Sequence, residues 1–317
     1  MAVPFSSRVG DPVWRDQAVQ WSARQLGRDI DEVVQPRIRP WSTHLRLSTG
    51  TDRWWFKANC TSQAFEPALR AALHELLPDR FDEPVAVDPE RGWRLTADRG
   101  PTWGEQTGPV PAGWAELIGM AASIQRRLVD HGPRVTGLGV PDCSPPTVVA
   151  RYDRLTALLA GLHDDHPAHL PPELHDRLRA ARPTVAAAAD TLAASPLPAT
   201  WQHGDLHPRN VFHIGGMPTL FDLGDSQWAH PVEILCVPHD WIGHHAGDIA
   251  WEPLFEAYAD AWGQPVSVLA REWVAARLTW AVNRAMTWWD CLAEADDDEW
   301  RRWGDAPLTL LARVARP

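Results

Sequence analysis

The chain has 317 residues, 44% of them hydrophobic, which is enough for one large domain or two modest ones with a sizeable core. Its formal net charge of −11 argues against DNA or RNA as a partner, whereas an acidic surface keeps a protein soluble and attracts cations. No apolar run approaches the ~20 residues of a membrane helix; the start shows no secretory leader; and Cys60, Cys143, Cys236 and Cys291 are spaced neither as a zinc knuckle nor as a disulfide framework, so a cytoplasmic protein with reduced thiols is expected.

In chain order, Val13 to Leu26 carries a helical pattern and Glu32 to Ile38 a strand pattern. Thr43 to Ser48 alternates apolar and polar residues, Thr49-Gly-Thr-Asp52 is a turn signal, and Arg53 to Ala58 alternates again, which predicts a β-hairpin. The period of two puts Trp55 and Lys57 on one face and Trp54, Phe56 and Ala58 on the other. A helix is expected from Pro67 to Leu77, with proline in its first turn, then strands over Pro84 to Val87 and Trp93 to Ala97. Glycine and proline punctuate Asp98 to Gly104, and helical periodicity takes over beyond it. One stripe is Trp114, Leu117, Ile118, Ala121, Gln125 and Leu128; a second is Val148, Tyr152, Leu155, Leu159 and Leu162; a third is Leu269, Trp273, Ala276 and Trp280. Ala180 to Ala194 reads as a helix, with short strands at Val211 to Ile214 and Thr219 to Leu223 between the helices. This predicts an α+β, two-lobed protein: residues 1–99 as a small antiparallel β-sheet lobe and 100–317 as a larger, mainly helical one.

Two scarcities stand out. Lys57 is the only lysine among 30 basic residues, and asparagine occurs only as Asn59, Asn210 and Asn283. A lysine is a compact point charge where arginine is a planar fork. The stretch Trp201-Gln-His-Gly-Asp-Leu-His-Pro-Arg-Asn210, followed by Phe221-Asp-Leu-Gly-Asp225, spaces His203, Asp205, Asn210 and Asp222 as phosphoryl-transfer enzymes of the kinase type do. By composition, the His-x-Asp-x₄-Asn part arises by chance about 0.01 times in such a chain. The chemistry asks for these types: a carboxylate to orient the attacking hydroxyl and take its proton, and hard oxygen ligands for a divalent cation.

These segments resemble the aminoglycoside phosphotransferase and choline-kinase-like family of the protein-kinase-like superfamily. The resemblance rests on His203-Gly-Asp-Leu-His-Pro-Arg-Asn210, Phe221-Asp-Leu-Gly-Asp-Ser226 with His230-Pro231, Trp55-Phe-Lys-Ala58, Phe65-Glu-Pro-Ala-Leu69 and Gly92-Trp-Arg-Leu95, spanning roughly residues 40 to 240. Arg209 and Leu223 depart from the family pattern. The resemblance implies a protein-kinase-like fold and transfer of the terminal phosphoryl group of ATP, or GTP, with Mg²⁺, to a hydroxyl of an aminoglycoside, amino sugar or other hydroxylated metabolite or antibiotic. Asp205 would be the base, and Asn210 and Asp222 the magnesium ligands. Lys57 would bind phosphate, fixed by Glu66 or, in competition, by Glu75. The nucleotide-covering loop near Arg39 to Thr43 includes Ser42 and Thr43, and a hinge around Ala97 to Gly100, with Ala97 and Arg99, would meet the base. His203 braces the loop, and Asp225 either supports the site or caps a turn. A monomer is the default.

Two alternatives stand beside this: a nucleotide-binding regulator without catalysis, and a metal-dependent hydrolase using His203, Asp205 and His207, with the downstream histidines extending the cluster. Trp288, Trp289, Trp300 and Trp303 either fill the core or stack on a ligand. The run Asp296 to Glu299 is either a solvated face or an ammonium-binding rim.

Overall fold

The computed structural model describes residues 3–106, 111–214 and 216–315. Two compact units emerge: residues 1–100 with 289–303, and residues 101–288 with 304–317.

In the first unit, α1 (Phe5–Gly10) leads to α2 (Pro12–Leu26), where the Asp11 carboxylate accepts from the Val13 N–H at 2.7 Å, Pro12 opens the helix and Gly27 closes it at φ 65°. Strands β1 (Glu32–Ile38), β2 (Ser42–Thr49) and β3 (Asp52–Asn59) form a meander; α3 (Glu66–Leu76) follows, then β4 (Ala86–Asp88) and β5 (Trp93–Ala97). The sheet is antiparallel throughout, in the order β1-β2-β3-β5-β4. Alternation along β3 sorts its side chains as expected. Trp54, Phe56 and Ala58 join Leu45, Leu47, Trp93, Leu95, Ala18 and Trp21 in one core, while Lys57 projects from the opposite face. Burial of those aromatic rings contributes on the order of 2 kcal/mol each, so the core fixes the register. A one-residue slip of β3 would put Lys57 in the core. The loop expected to run to Thr43 reaches only Trp41, because Ser42 and Thr43 open β2.

In the second unit, α4 (Pro111–Leu128) buries its whole expected stripe, including Gln125. Gln125 is polar for a reason. Its side chain donates to Gln202 Oε1 (3.0 Å) and Pro231 O (3.1 Å) and accepts from the Tyr258 hydroxyl (2.8 Å), which ties four segments together. Next come α5 (Gly132–Gly137), α6 (Val148–Ala160) and α7 (Pro172–Ala193), the last starting eight residues earlier than the alanine run suggested. Two small sheets follow: β6 (Thr200–Gln202) pairs with β9 (Gln227–Ala229), and β7 (Val211–Ile214) with β8 (Met217–Leu220). Then come α8 (Cys236–His245), α9 (Glu252–Trp262) and α10 (Val266–Cys291); α11 (Asp297–Trp303) falls in the first unit, and α12 (Ala306–Leu311) in the second. Among the described residues, no helix is long and apolar enough to cross a membrane.

The stretch 289–303, placed by sequence with the helical part, groups with the first unit. Glu294 accepts from the Thr61 N–H (2.8 Å) and pairs with Arg8 (3.1 Å), and Trp303 packs edge-on to Trp41. The acidic run is a helix start: Asp296 Oδ1 accepts from the Glu299 N–H (2.8 Å) and Glu299 Oε2 from the Asp296 N–H (3.1 Å), a reciprocal cap for α11. Trp289 packs on Trp300. Cys60, Cys143, Cys236 and Cys291 are buried and form no disulfide.

Candidate active site

Two clusters of charged side chains stand out, one in each unit. In the first, Glu66 sits at the start of α3, almost wholly buried. Its Oε2 accepts from Lys57 Nζ (2.6 Å) and Asn59 Nδ2 (2.6 Å), and its Oε1 from Arg94 Nη1 (2.8 Å). Glu66, and not the exposed Glu75, therefore holds Lys57. Lys57 and Arg94 are cross-strand partners on β3 and β5, so both cations reach the one carboxylate. A buried carboxylate without them would be costly; with them it becomes a fixed point. Arg70 and Arg99 instead share Asp82. Burial lowers the pKa of Arg70 to about 9, and the neighbouring Arg94 adds to the effect.

Thr43 is buried, and its hydroxyl donates to Arg37 O (2.9 Å) and accepts from Gln35 Nε2 (2.9 Å). Its hydroxyl is thus engaged within the sheet, and Ser42 is buried beside it. Ala97 pairs with Trp54 at the end of β5. Arg99 donates its Nε to Asp82 Oδ2 (3.1 Å).

The second cluster is built on loops. His203 is fully buried; its Nε2 donates to Phe221 O (2.9 Å) and its Nδ1 accepts from the Asp205 N–H (3.3 Å). Burial lowers its pKa, so it is a neutral brace. Phe221 also donates its N–H to Asn210 O (3.2 Å), which pins the backbone just before Asp222. Asp222 has φ 61°, the one described non-glycine residue in the left-handed region. Such strain persists only where surrounding contacts over-determine it. Gly204 (φ 78°) must be glycine, because a Cβ there would lie 1.9 Å from Asp225 O.

Asp205, about 30% exposed, is gripped on both oxygens. Oδ2 accepts from His207 Nε2 (3.2 Å) and Asn210 Nδ2 (3.1 Å); Oδ1 lies 3.6 Å from Arg284 Nη2. His207 is oriented by the Arg209 N–H on its Nδ1 (3.2 Å) and by stacking on Trp241, which itself stacks on His245. Burial works against ionisation of Asp205, but the His207 hydrogen bond and the Arg284 charge outweigh it, so its pKa falls below the ordinary carboxylate value. Asp225, 2.8 Å from Arg284 Nη1, is pushed up, by burial first; the Arg284 charge opposes this and that of Asp205 adds to it.

Asn210 donates its Nδ2 to Asp205 O (2.9 Å) and Oδ2 (3.1 Å), and no bond to its Oδ1 occurs among the described residues, which leaves that oxygen as a metal ligand. With the Asp222 carboxylate it supplies the hard ligands a magnesium ion prefers, so the donor set fits that ion. A transition-metal hydrolase does not fit. Both nitrogens of His203 are engaged, and no group of three metal-ligating side chains occurs among the described residues. Sequence reasoning missed Arg94, Arg284 and Trp241. Asn59 carried a signal, being one of three asparagines, but drew no role.

The sheet order of the first unit and the looped, mainly helical second unit define a protein-kinase-like fold. The chain matches a choline kinase from Streptococcus pneumoniae with a TM-score of 0.63 at 13% identity, over 95% of this chain and 97% of that one. It matches a macrolide 2'-phosphotransferase from Brachybacterium faecium (0.58, 16%, 93% and 98%) and aminoglycoside 2'-phosphotransferase-IIIa in its GDP complex (0.61, 12%, 96% and 98%). Residues 68–278 match the model of the phosphotransferase enzyme family, and the chain belongs to that family. No curated protein sequence matches it. The family match begins after Lys57 and Glu66 and ends before Arg284, so it does not cover these three.

Proposed function

We propose that this protein transfers the terminal phosphoryl group of ATP or GTP to a hydroxyl of a small metabolite or antibiotic, acting in the cytoplasm. The observation that carries this reading is the grip on Asp205: both carboxylate oxygens are oriented and the group is kept ionised while part of it stays open to solvent. Such a carboxylate receives the proton of an acceptor hydroxyl as its oxygen attacks the γ-phosphorus and the nucleoside diphosphate leaves. Asn210 Oδ1 and Asp222 would hold Mg²⁺, which supplies neutralisation of phosphate charge when bound. Lys57, fixed by Glu66, would bind phosphate oxygens, and the backbone around Ala97 and Arg99 would meet the base.

The test is Asp205→Asn in a Mg²⁺-dependent ATP-depletion screen across hydroxylated compounds. Turnover should fall by about 10²–10⁴-fold with nucleotide binding near wild type. Equal turnover in the variant would remove Asp205 from the role of base. Nucleotide binding without turnover on any acceptor would favour a regulator.

A further inference from the structure

A cavity in the second unit has no part in the scheme above. Its volume is about 230 Å³, and three elements wall it: α8 with Cys236 and Asp240, α10 with Trp273, Arg277 and Trp280, and the turn Ala312–Ala315 with Arg313. The spacing of residues 273, 277 and 280 puts both indoles and the guanidinium on one face of α10. Of the stripe expected from periodicity, Leu269 and Ala276 are fully buried core, whereas Trp273 and Trp280 also face this cavity. We propose that the cavity binds a planar organic anion, an aromatic carboxylate, with its ring against the indoles and its carboxylate on Arg277. None of Asp205, Asn210 and Asp222 lines it, so the proposal stands apart from the reading of Asp205 as base.

The chemistry of the lining selects the class. Aromatic walls with a few polar groups are what small-molecule sites use, and drug-sized ligands take ~300 Å³ or more, so this cavity suits a single ring. Cys236 adds a neutral thiol, since burial holds its pKa well above the ordinary value. Asp240 is the one carboxylate of the lining, and both its oxygens are engaged: Oδ2 with Arg313 Nη1 (2.6 Å) and Oδ1 with His239 Nδ1 (3.5 Å). Burial alone would raise its pKa, but these two partners outweigh burial and bring it to about 2. Arg313 is therefore matched by Asp240. Arg277 lies 5.8 Å from the Trp273 ring, and among the described residues it has no ion pair with a carboxylate. Two guanidinium groups thus line the cavity against one carboxylate, and the one without an acid is Arg277. The indoles could attract a cation, but each already has a guanidinium near its ring, Arg277 at Trp273 and Arg313 at Trp280 (5.3 Å). A planar fork matches a carboxylate, and an aromatic ring packs on indole. Trp241, next to Asp240 on α8, stacks on His207 beside Asp205, so this cavity and the loop cluster share a helix.

The experiment titrates 4-fluorobenzoate, 4-fluorobenzamide and 4-fluorobenzamidine into the full chain, followed by fluorine NMR, for wild type, Arg277→Gln, Arg277→Lys and Arg302→Gln. Wild type should bind the benzoate with millimolar Kd, about fivefold tighter than the amide, with the amidine weakest, as expected for one exposed charge pair. Arg277→Gln should abolish the preference for the benzoate, and Arg277→Lys should keep it. Arg302, over the Trp303 ring at 5.1 Å and outside the cavity, is the control, and Arg302→Gln should bind as wild type does. Arg277 is exposed, so its replacement should leave the unfolding midpoint unchanged. No saturable benzoate binding up to ~10 mM, tighter binding of the amidine, equal benzoate binding by wild type and Arg277→Gln, or an equal loss in Arg302→Gln overturns the proposal. Two sources carry this chemistry, a free aromatic acid and the acid-bearing end of a longer acceptor. ATP consumption with 4-(hydroxymethyl)benzoate, at a KM raised in Arg277→Gln, assigns the acceptor; saturable binding of that compound without ATP consumption assigns the free acid. The titrations involve no turnover, so loss of the Asp205 assignment shows separately, in Asp205→Asn.

Discussion

The carboxylate at the centre of the first unit and those of the second are stabilised in opposite ways. Glu66 is closed in by two cations and an amide on a strand-and-helix scaffold, with almost no exposed surface. Asp205, Asp222 and Asp225 sit on loops with strained or glycine-dependent backbone, and Asp205 and Asp225 share Arg284. Cations fixed by a buried anion suit the binding of phosphate. Oriented carboxylates suit a divalent cation and a proton. The regular elements give the first cluster rigidity, whereas the loops give the second its reach to a reacting atom.

That contrast can be broken at several points. Lys57→Ala should cost about 10²-fold in kcat/KM, with Arg94 unable to replace a compact ammonium group. Steady-state kinetics check it, and unchanged values would remove the first cluster from catalysis. Arg94→Met should act mainly on stability. It leaves Glu66 with one cation in a buried setting, at a cost of about 3 kcal/mol in denaturant unfolding. A variant as stable as wild type would mean that Lys57 and Asn59 suffice.

The smallest effect sharpens the contrast through a third carboxylate. Glu233 is as buried as Glu66 but is held by neutral donors, Thr279 Oγ1 (2.7 Å) and Asn283 Nδ2 (3.1 Å). Burial pushes its pKa from the ordinary 4.5 up to about 7. A raised folded-state value means the folded protein binds the proton more tightly, so this contribution to stability is complete below pH 4.5 and is lost as pH rises through 7. Between pH 4.5 and 8, wild type should therefore lose about 1–3 kcal/mol relative to Glu233→Gln. Parallel pH profiles of unfolding free energy would show that Glu233 does not titrate there.

How much of this was legible in the chain follows from the range of each signal. Alternation around Lys57 gave its face, since side-chain direction in a strand depends only on neighbours in sequence. The spacing of His203, Asp205, Asn210 and Asp222 gave the loop cluster for the same reason, all four lying within 20 residues. The scarcity of asparagine marked Asn210 and pointed equally at Asn59 and Asn283, each of which supports a buried glutamate. Composition did not show that the Thr43 hydroxyl bonds to Gln35 and Arg37 on β1, since those partners are set by strand pairing.

By itself, then, the sequence determined the hairpin, the helical stripes, the family and the residues of the loop motif, which are set by local periodicity and spacing. Only the tertiary structure decided that Glu66 and not Glu75 holds Lys57, that Arg94 shares it, that residues 289–303 group with the first unit, and that Arg284 reaches Asp205 across 79 positions of chain. One arginine among many carries no mark in a sequence. Its partner is chosen by which helix face packs against which loop, and that choice is made by the buried core.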